Sequence, residues 1–327
     1  MKKVLVTGAG GFIGSNLVEA LVLEGCEVTA FLHYNSRSDY GNLDFIDQTV
    51  LKNVRIVSGD IQDFMTIRKA VSGHDTVMHL AALIAIPYSY HAPESYVKTN
   101  VLGTLNVLQA CLDEEVSMVI HTSTSETYGT AIYTPIDENH PLQGQSPYSA
   151  SKIGADKIAE SFYRSFDLPV ATIRPFNTFG PGQSARAIIP TIISQALTTK
   201  DNTIHLGLLT PVRDLTFVKD TVQGFIDIGK KRNTIGRVVN IGSGTGITIG
   251  DLAGKIITQI NPEIQIKSDE NRIRPEKSEV MELICNNQAA SELLGWRPAY
   301  TLDSGLSETI DFIKDHLDFY KPNIYNI

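Results

Sequence analysis

The sequence predicts an α/β fold: a doubly wound parallel sheet with a smaller, discontinuous α/β domain toward the C-terminus. Three observations predict it. Short apolar runs alternate with amphipathic helical patterns through the first half of the chain. A glycine-rich turn joins the first run to the first helical pattern. The alternation loosens after Asn177 and resumes near Phe217, with no second glycine turn, internal repeat or low-complexity linker. The 327 residues suffice for two domains or one large α/β unit. The first domain reads as residues 1–175 with a return segment at about 213–243, the second as about 176–212 and 244–327.

Residues 3–7 (KVLVT) are apolar on both faces, as a strand buried in a parallel sheet must be. Gly8, Gly11 and Gly14 follow, with Phe12 and Ile13 between the last two, and a helical pattern runs over 15–24. Glycines here allow a tight turn, close approach of a ligand, and packing of helix on strand. The helix N-terminus offers free N–H groups and a positive dipole end to a diphosphate. Strand, glycine turn and helix in this order favour dinucleotide binding and a Rossmann-type sheet.

Residues 27–32 (EVTAFL) form a second strand. Dinucleotide sites usually place an Asp or Glu near its end to hold the adenosine ribose. No acid stands in 32–37; Ser36 and Arg37 can instead meet a 2′-phosphate, so NAD and NADP both stay open. Residues 54–58 form a third strand ending at Asp60 and Ile61, where Asp60 either caps a helix or accepts from an adenine amino group. Residues 76–80 form a fourth, ending in Ala81 and Ala82, small enough to let something flat approach the backbone. A long amphipathic pattern over 96–112 contains Asn100, which is grouped with the cofactor-binding set. Strands at 118–122 and 170–173 complete this half, and later elements are a helix at 190–198, short strands at 215–218 and 238–241, and helices at 248–260 and 287–294.

The composition, 42% hydrophobic and 20% charged, suits a soluble globular protein. A net charge of −8 without a long Lys/Arg run argues against nucleic acid or anionic membrane as partner. Cys26, Cys111 and Cys285 are too scattered for a metal site or disulfide framework and read as reduced thiols. His33, His79 and His121 are not spaced as metal ligands, so no metal is expected. The N-terminal apolar run is too short for a signal peptide, and no window approaches ~18 apolar residues. A cytoplasmic location is the expectation.

The chemistry centres on Ser146-Pro147-Tyr148-Ser149-Ala150-Ser151-Lys152. Ser146 is a good N-cap and Pro147 suits the first helical position. Tyr148 and Lys152 then share one helix face. An ammonium beside a phenol favours phenolate, giving a tyrosine that can accept a hydroxyl proton near neutral pH.

Gly8-x-x-Gly11-x-x-Gly14, His79-Leu80-Ala81-Ala82, the stretch 122–129, Tyr148-x-x-x-Lys152, Arg174-Pro175-x-Asn177, Arg213-Asp214 and Arg274-Pro275 together resemble the extended short-chain dehydrogenase/reductase family across essentially the whole chain. The resemblance implies a tightly bound NAD or NADP, regenerated each turnover, and a nucleotide-linked sugar as substrate. Thr124-Ser125-Glu126 is most similar to 4,6-dehydratases and some nucleotide-sugar decarboxylases. Residues 81–90 (AALIAIPYSY) and Ser184-Ala185-Arg186 resemble dehydratases of the legionaminic and pseudaminic acid routes, which use nucleotide-linked N-acetylglucosamine.

By that resemblance Tyr148 takes the C4 hydroxyl proton, Lys152 assists it and holds the nicotinamide ribose, Thr124 bonds the C4 oxygen, and Glu126 removes the C5 proton. Many sugar 4,6-dehydratases carry Asp where this chain has Ser125. Either Glu126 passes its captured proton to the leaving hydroxyl, or another acid or water does, with Ser125 an orienting hydroxyl. Arg213 and Arg274 suit a diphosphate because a guanidinium fork matches phosphate oxygens. Asn177 is expected at the diphosphate or sugar, Arg186 is a weaker candidate, and Tyr88 can line the sugar pocket. Rival expectations are a C4 epimerase, which does not need Glu126, a decarboxylase, an enzyme handling a 5,6-ene sugar, and a non-catalytic NAD(P)-binding protein. A homodimer packed through the Asn100 and Tyr148 helices is the expected assembly.

Overall fold

The computed structural model describes residues 1–269, 272 and 280–321. Its strands, in chain order, are β1 (Lys3–Thr7), β2 (Glu27–His33), β3 (Val54–Gly59), β4 (Thr76–His79), β5 (Met118–Thr122), β6 (Val170–Pro175), β7 (Asn177–Phe179), β8 (Thr203–Leu206), β9 (Val212–Phe217), β10 (Val238–Ile241), β11 (Gly246–Thr248), β12 (Gln265–Ser268) and β13 (Glu282–Leu283). Among the described residues a seven-stranded sheet runs in the order β10-β6-β5-β4-β1-β2-β3, every pair parallel. The order reverses between β1 and β4, which opens a crevice at the strands' carboxyl ends.

The side-chain pattern shows why the sheet is wound on both faces. Val4, Val6, Met78, Ile120 and Ile173 point into one core, while Leu5, Val77, Val119 and Val170 point into a second on the opposite face. Period-two alternation sends apolar residues both ways, so both faces must be covered by helices. The expected doubly wound parallel sheet is therefore the one found.

The second half builds a small mixed sheet in which β9 pairs antiparallel with β11 and parallel with β13 and β7, plus a parallel pair β8–β12. β9 lies within the expected return segment, yet its pairing places it in this small sheet. The chain rejoins the large sheet only at the helix Val218–Lys230, which packs on the helix Phe12–Leu23, and then at β10 beside β6. The larger core is continuous between the two sheets, running from Val4 and Leu17 through Phe179 and Phe217 to Ile256 and Leu306.

Two helices position the site. Pro147–Phe166 begins as expected: Ser146 caps it, and Ser146 and Ser149 exchange bonds between side chains and backbone N–H groups (3.1 and 3.0 Å). The pattern over 96–112 is not one uniform helix. It divides into Pro93–Tyr96, a π-helical stretch Val97–Leu102, and the α-helix Gly103–Asp113. Asn100 sits in the π stretch, where such widening often serves a side chain that must turn inward.

Candidate active site

A cavity of about 790 Å³ lies along the carboxyl ends of the central strands. Its wall takes the glycine turn from β1, Asp60 and Ile61 after β3, Ala81 and Ala82 after β4, Thr124, Ser125 and Glu126 after β5, Tyr148 and Lys152 from their helix, and Asn177 after β6. These residues are far apart in sequence, and the parallel sheet brings them together.

The glycine turn fits a diphosphate. Gly8 has φ +70°, and a Cβ there would stand 2.7 Å from the Ala81 N. A Cβ on Gly14 would stand 2.2 Å from the Gly8 O, so helix and turn pack without side chains between them. Gly11 is the helix N-cap and supplies no side-chain bond, leaving the first-turn N–H groups to a ligand. Phe12 and Ile13 open that helix on the cavity wall.

At the adenosine end the expected pair does not form the wall. Ser36 and Arg37 are exposed, and the wall is made instead by His33, Asn35, Asp39 and Tyr40. Asn35 folds the loop back, its Oδ1 accepting from the Arg37 N (3.0 Å) and its Nδ2 donating to the Asp39 O (2.9 Å). That turn brings Asp39, an acid beyond 32–37, to the cavity wall. Asp60 accepts from the Gln62 N (2.9 Å), while the next helix is capped by Asp63, so capping is not Asp60's role. Asn100 lies behind the wall, its Oδ1 accepting from the Leu83 N (2.8 Å) and its Nδ2 donating to the Leu83 O (3.0 Å) and Ser151 Oγ (2.9 Å). It shapes the loop after Ala82 and does not face the cavity.

Thr124 begins the 3-10 turn Ser125–Tyr128, its Oγ1 accepting from the Glu126 N (3.3 Å). The Tyr148 phenol lies beside the Thr124 side chain and packs edge-on against buried Tyr96, ring centroids 6.1 Å apart. Enclosure pushes the phenol above its ordinary value; the Thr124 side chain pulls the other way and loses. Lys152 is buried, and burial brings it down to about 8 against the opposing pull of Asp156. Its Nζ donates 2.6 Å to the Thr122 carbonyl. The expected lowering of Tyr148 by Lys152 is thus not the ruling effect in the protein alone: desolvation outweighs it and the ammonium is turned to a backbone carbonyl.

Asn177 is on the wall, and its Oδ1 is buried without a hydrogen-bond partner. Three of the other expected substrate residues lie outside this wall. Tyr88 is 43% exposed and stands 6.1 Å, ring to ring, from Tyr96. Arg186 is exposed, with its Nε donating to Ser184 Oγ (3.3 Å). Arg213 is buried in β9, its Nη1 donating to the Val212 O (3.0 Å). None of these three is in the cavity wall, and Arg274 lies outside the described residues. Gln183 is a wall residue that sequence reasoning missed. Its Nε2 donates to the Thr178 O (2.9 Å), which fixes the amide's orientation and turns a buried, unpartnered Oε1 the other way. A loop glutamine carries no periodic signal; only the fold places it.

Strand-end packing accounts for the two internal histidines. His79 lies between Thr7 Oγ1 (2.8 Å) and Thr104 Oγ1 (3.0 Å), and His121 meets Asp156 Oδ1 at 2.9 Å. Cys26, Cys111 and Cys285 are free thiols. No helix among the described residues is long and apolar enough to cross a membrane.

A Rossmann-type sheet, a side-chain-free cradle at a helix N-terminus, and a tyrosine and lysine at the crevice define a nicotinamide-dinucleotide site, so NAD(P) is the cofactor. Residues 5–309 match the family model described as GDP-mannose 4,6 dehydratase. A dTDP-glucose 4,6-dehydratase of Streptomyces antibioticus is 31% identical over 342 residues, covering 98% of this chain and 94% of the relative. A UDP-glucose 4-epimerase of Mycolicibacterium smegmatis is 29% identical, covering 96% and 99%. Among solved structures, DesIV of Streptomyces venezuelae, a dTDP-glucose 4,6-dehydratase with NAD and TYD bound, superposes with TM-score 0.86 at 28% identity, covering 98% and 99%. TunA, a NAD-dependent NDP-hexosamine 5,6-dehydratase of tunicamycin biosynthesis, gives 0.84 at 26% identity, covering 96% and 98%. The chain belongs to the GDP-mannose 4,6-dehydratase family of extended short-chain dehydrogenases/reductases.

Proposed function

We propose that this chain dehydrates a nucleotide-linked N-acetylhexosamine, UDP-N-acetylglucosamine, to a 4-keto-6-deoxy sugar for bacterial nonulosonic acid or surface-glycan synthesis. One observation carries the dehydratase reading: Thr124, Glu126 and Tyr148 share one cavity wall. The N-acetylhexosamine rests on the resemblance of residues 81–90 and 184–186.

The C5 hydrogen of a hexose is not acidic until C4 becomes a carbonyl. Bound NAD(P) supplies the hydride acceptor for C4, the hydride donor for C6, and, when oxidised, a positive ring whose charge favours phenolate. Thr124 holds the C4 oxygen and Tyr148 takes its proton. Glu126 takes the C5 proton and returns it to the C6 hydroxyl, which leaves as water; the buried hydroxyl of Ser125 orients that step. As C6 is reduced, Glu126, recharged from solvent, protonates C5, and Tyr148 releases its proton to solvent, so C4 stays a ketone and both groups regain their starting state.

Of the two cofactors, NAD is the better fit. Asp39 lies in the wall at the adenosine end, where a carboxylate binds ribose hydroxyls and repels a 2′-phosphate. The assembly is a homodimer through the helices carrying Asn100 and Tyr148; Val97 and Leu102 on the first are 50% and 48% exposed. Sedimentation as a monomer at micromolar concentration removes the dimer.

The test of the function is incubation of purified protein with UDP-N-acetylglucosamine in deuterated water. Loss of one water without added reductant, with deuterium at C5, supports the reading; C4 inversion with no mass change replaces it with the epimerase.

A further inference from the structure

The helix face that carries Tyr148 and Lys152 continues one turn further, to Asp156. All three meet the end of β5. Tyr148 stands beside Thr124, Lys152 Nζ donates to the Thr122 carbonyl (2.6 Å), and Asp156 accepts from Ser123 Oγ (2.6 Å) and faces His121 Nε2 (2.9 Å). Steps of four residues keep the three on one side of the helix, so they form successive rungs against one strand end.

Arg174 of β6 closes this ladder. Its Nη2 donates to Asp156 Oδ2 (2.8 Å), its Nε to Ser123 Oγ (3.1 Å) and its Nη1 to the Tyr128 hydroxyl (2.8 Å). Ser123 and Tyr128 are the two ends of the segment that carries Thr124, Ser125 and Glu126. One rigid guanidinium therefore grips both ends of that segment, and Asp156 ties the guanidinium to the Tyr148 helix. Tyr128 in turn donates to Asn240 Oδ1 of β10 (2.8 Å).

We propose that Asp156, acting with Arg174, is a positioning residue that sets the distance between the Thr124–Glu126 turn and the Tyr148–Lys152 face. Stability alone is a poor reason for the pair. Arg174 and Asp156 are only 3% and 7% exposed, and a buried ion pair repays its desolvation only when every bond is made; apolar residues of similar volume serve a core as well. What apolar residues cannot do is hold two ends of a turn and a helix in one register. The inference rests on the dehydratase reading, because Glu126 and Tyr148 act on adjacent carbons in turn and need a fixed separation.

The experiment compares wild type with Asp156→Asn, which keeps the shape and removes the charge. Four quantities are read: thermal midpoint, bound cofactor, sugar-dependent reduction of that cofactor in the near ultraviolet, and deuterium entry at C5. The expected result is retained fold and cofactor, KM within a few fold, and kcat lower by about 10²-fold, the effect of a misplacement of about 1 Å. Deuterium entry falls more than cofactor reduction, because Glu126 is on the released segment. If Asp156→Asn does not fold, Ser123→Ala removes one tether and leaves the ion pair; the same split is expected. An unchanged kcat, or equal loss of both partial reactions in step with cofactor loss, overturns the positioning role. A wild type showing neither partial reaction overturns the dehydratase reading and this inference with it.

Discussion

Glu126 and Tyr148 divide the proposed reaction between them, and that division can be measured. Glu126→Gln keeps the phenol, the lysine and the cradle, so sugar-dependent cofactor reduction survives. Water loss falls by about 10²–10⁴-fold, the usual worth of a positioned base. Normal dehydration by this variant removes Glu126 from the role. Lys152 adds a pH signature. Burial brings it to about 8, below the ordinary lysine value of about 10.4, so the unfolded chain binds more protons between these values. This residue's contribution to stability therefore rises with pH across that window. Activity goes the other way: kcat/KM falls as the ammonium is lost, with an alkaline limb near pH 8. Lys152→Arg stays charged and moves that limb to higher pH; a limb that stays in place shows another group titrating. Gln183 makes a separate prediction. A buried carbonyl oxygen needs a donor, and phosphates offer none at neutral pH, so the expected partner of Oε1 is a hydroxyl or amide N–H of the sugar. Gln183→Leu then weakens nucleotide-sugar binding by about tenfold, a lost bond of about 1.4 kcal/mol, while UDP affinity and cofactor content hold. Calorimetric titration of the two ligands separates these outcomes.

At the scale of elements, the glycine turn joins architecture to binding. Gly8→Ala must hold φ near +70° with its methyl against the Ala81 backbone, at a cost of about 1–3 kcal/mol, and it pushes β1 away from the end of β4. Cofactor content on purification is expected to fall with the melting temperature; a variant that keeps both contradicts the close approach. Such elements were legible because local chemistry decides them. Five strands of the large sheet are apolar enough on both faces to identify themselves, and Ser146-Pro147 marked its helix start. The strands β7, β11 and β13 have two or three residues each, too few for a period to show. The site divides in the same way. Tyr148, Lys152, Thr124 and Glu126 were readable from spacing and resemblance, whereas Asp39, Gln183 and the Asp156–Arg174–Ser123 ladder depend on contacts between distant segments. The place of Arg186 and Arg213 in the fold was not legible for a related reason. Charge compatibility says what a guanidinium can bind, not where β9 will put Arg213.

The whole molecule couples its two halves through one core. Phe179, Phe217 and Leu306 from the second half are in the same apolar cluster as Val4, Leu17 and Ile120 from the first. The cleft is also bridged by polar contacts: Asn42 Nδ2 donates to the Gly182 O (2.6 Å) and Asn16 Nδ2 to the Pro181 O (3.4 Å), tying the loop that carries Gln183 to the side that carries the glycine turn. Separate unfolding of a substrate domain would have to expose this shared core, so the chain should melt in one transition. A ligand held by either half then stabilises both, by an amount set by RT ln(1 + [L]/Kd). With cofactor removed, NAD is expected to raise the single midpoint more than NADP at equal concentration, because Asp39 opposes the extra phosphate; Asp39→Ala should narrow that difference. Two separate transitions, with only the first responding to NAD, would show that the continuous core does not make one cooperative unit. Equal shifts by the two cofactors would instead leave the cooperativity standing and remove Asp39 as the discriminating charge.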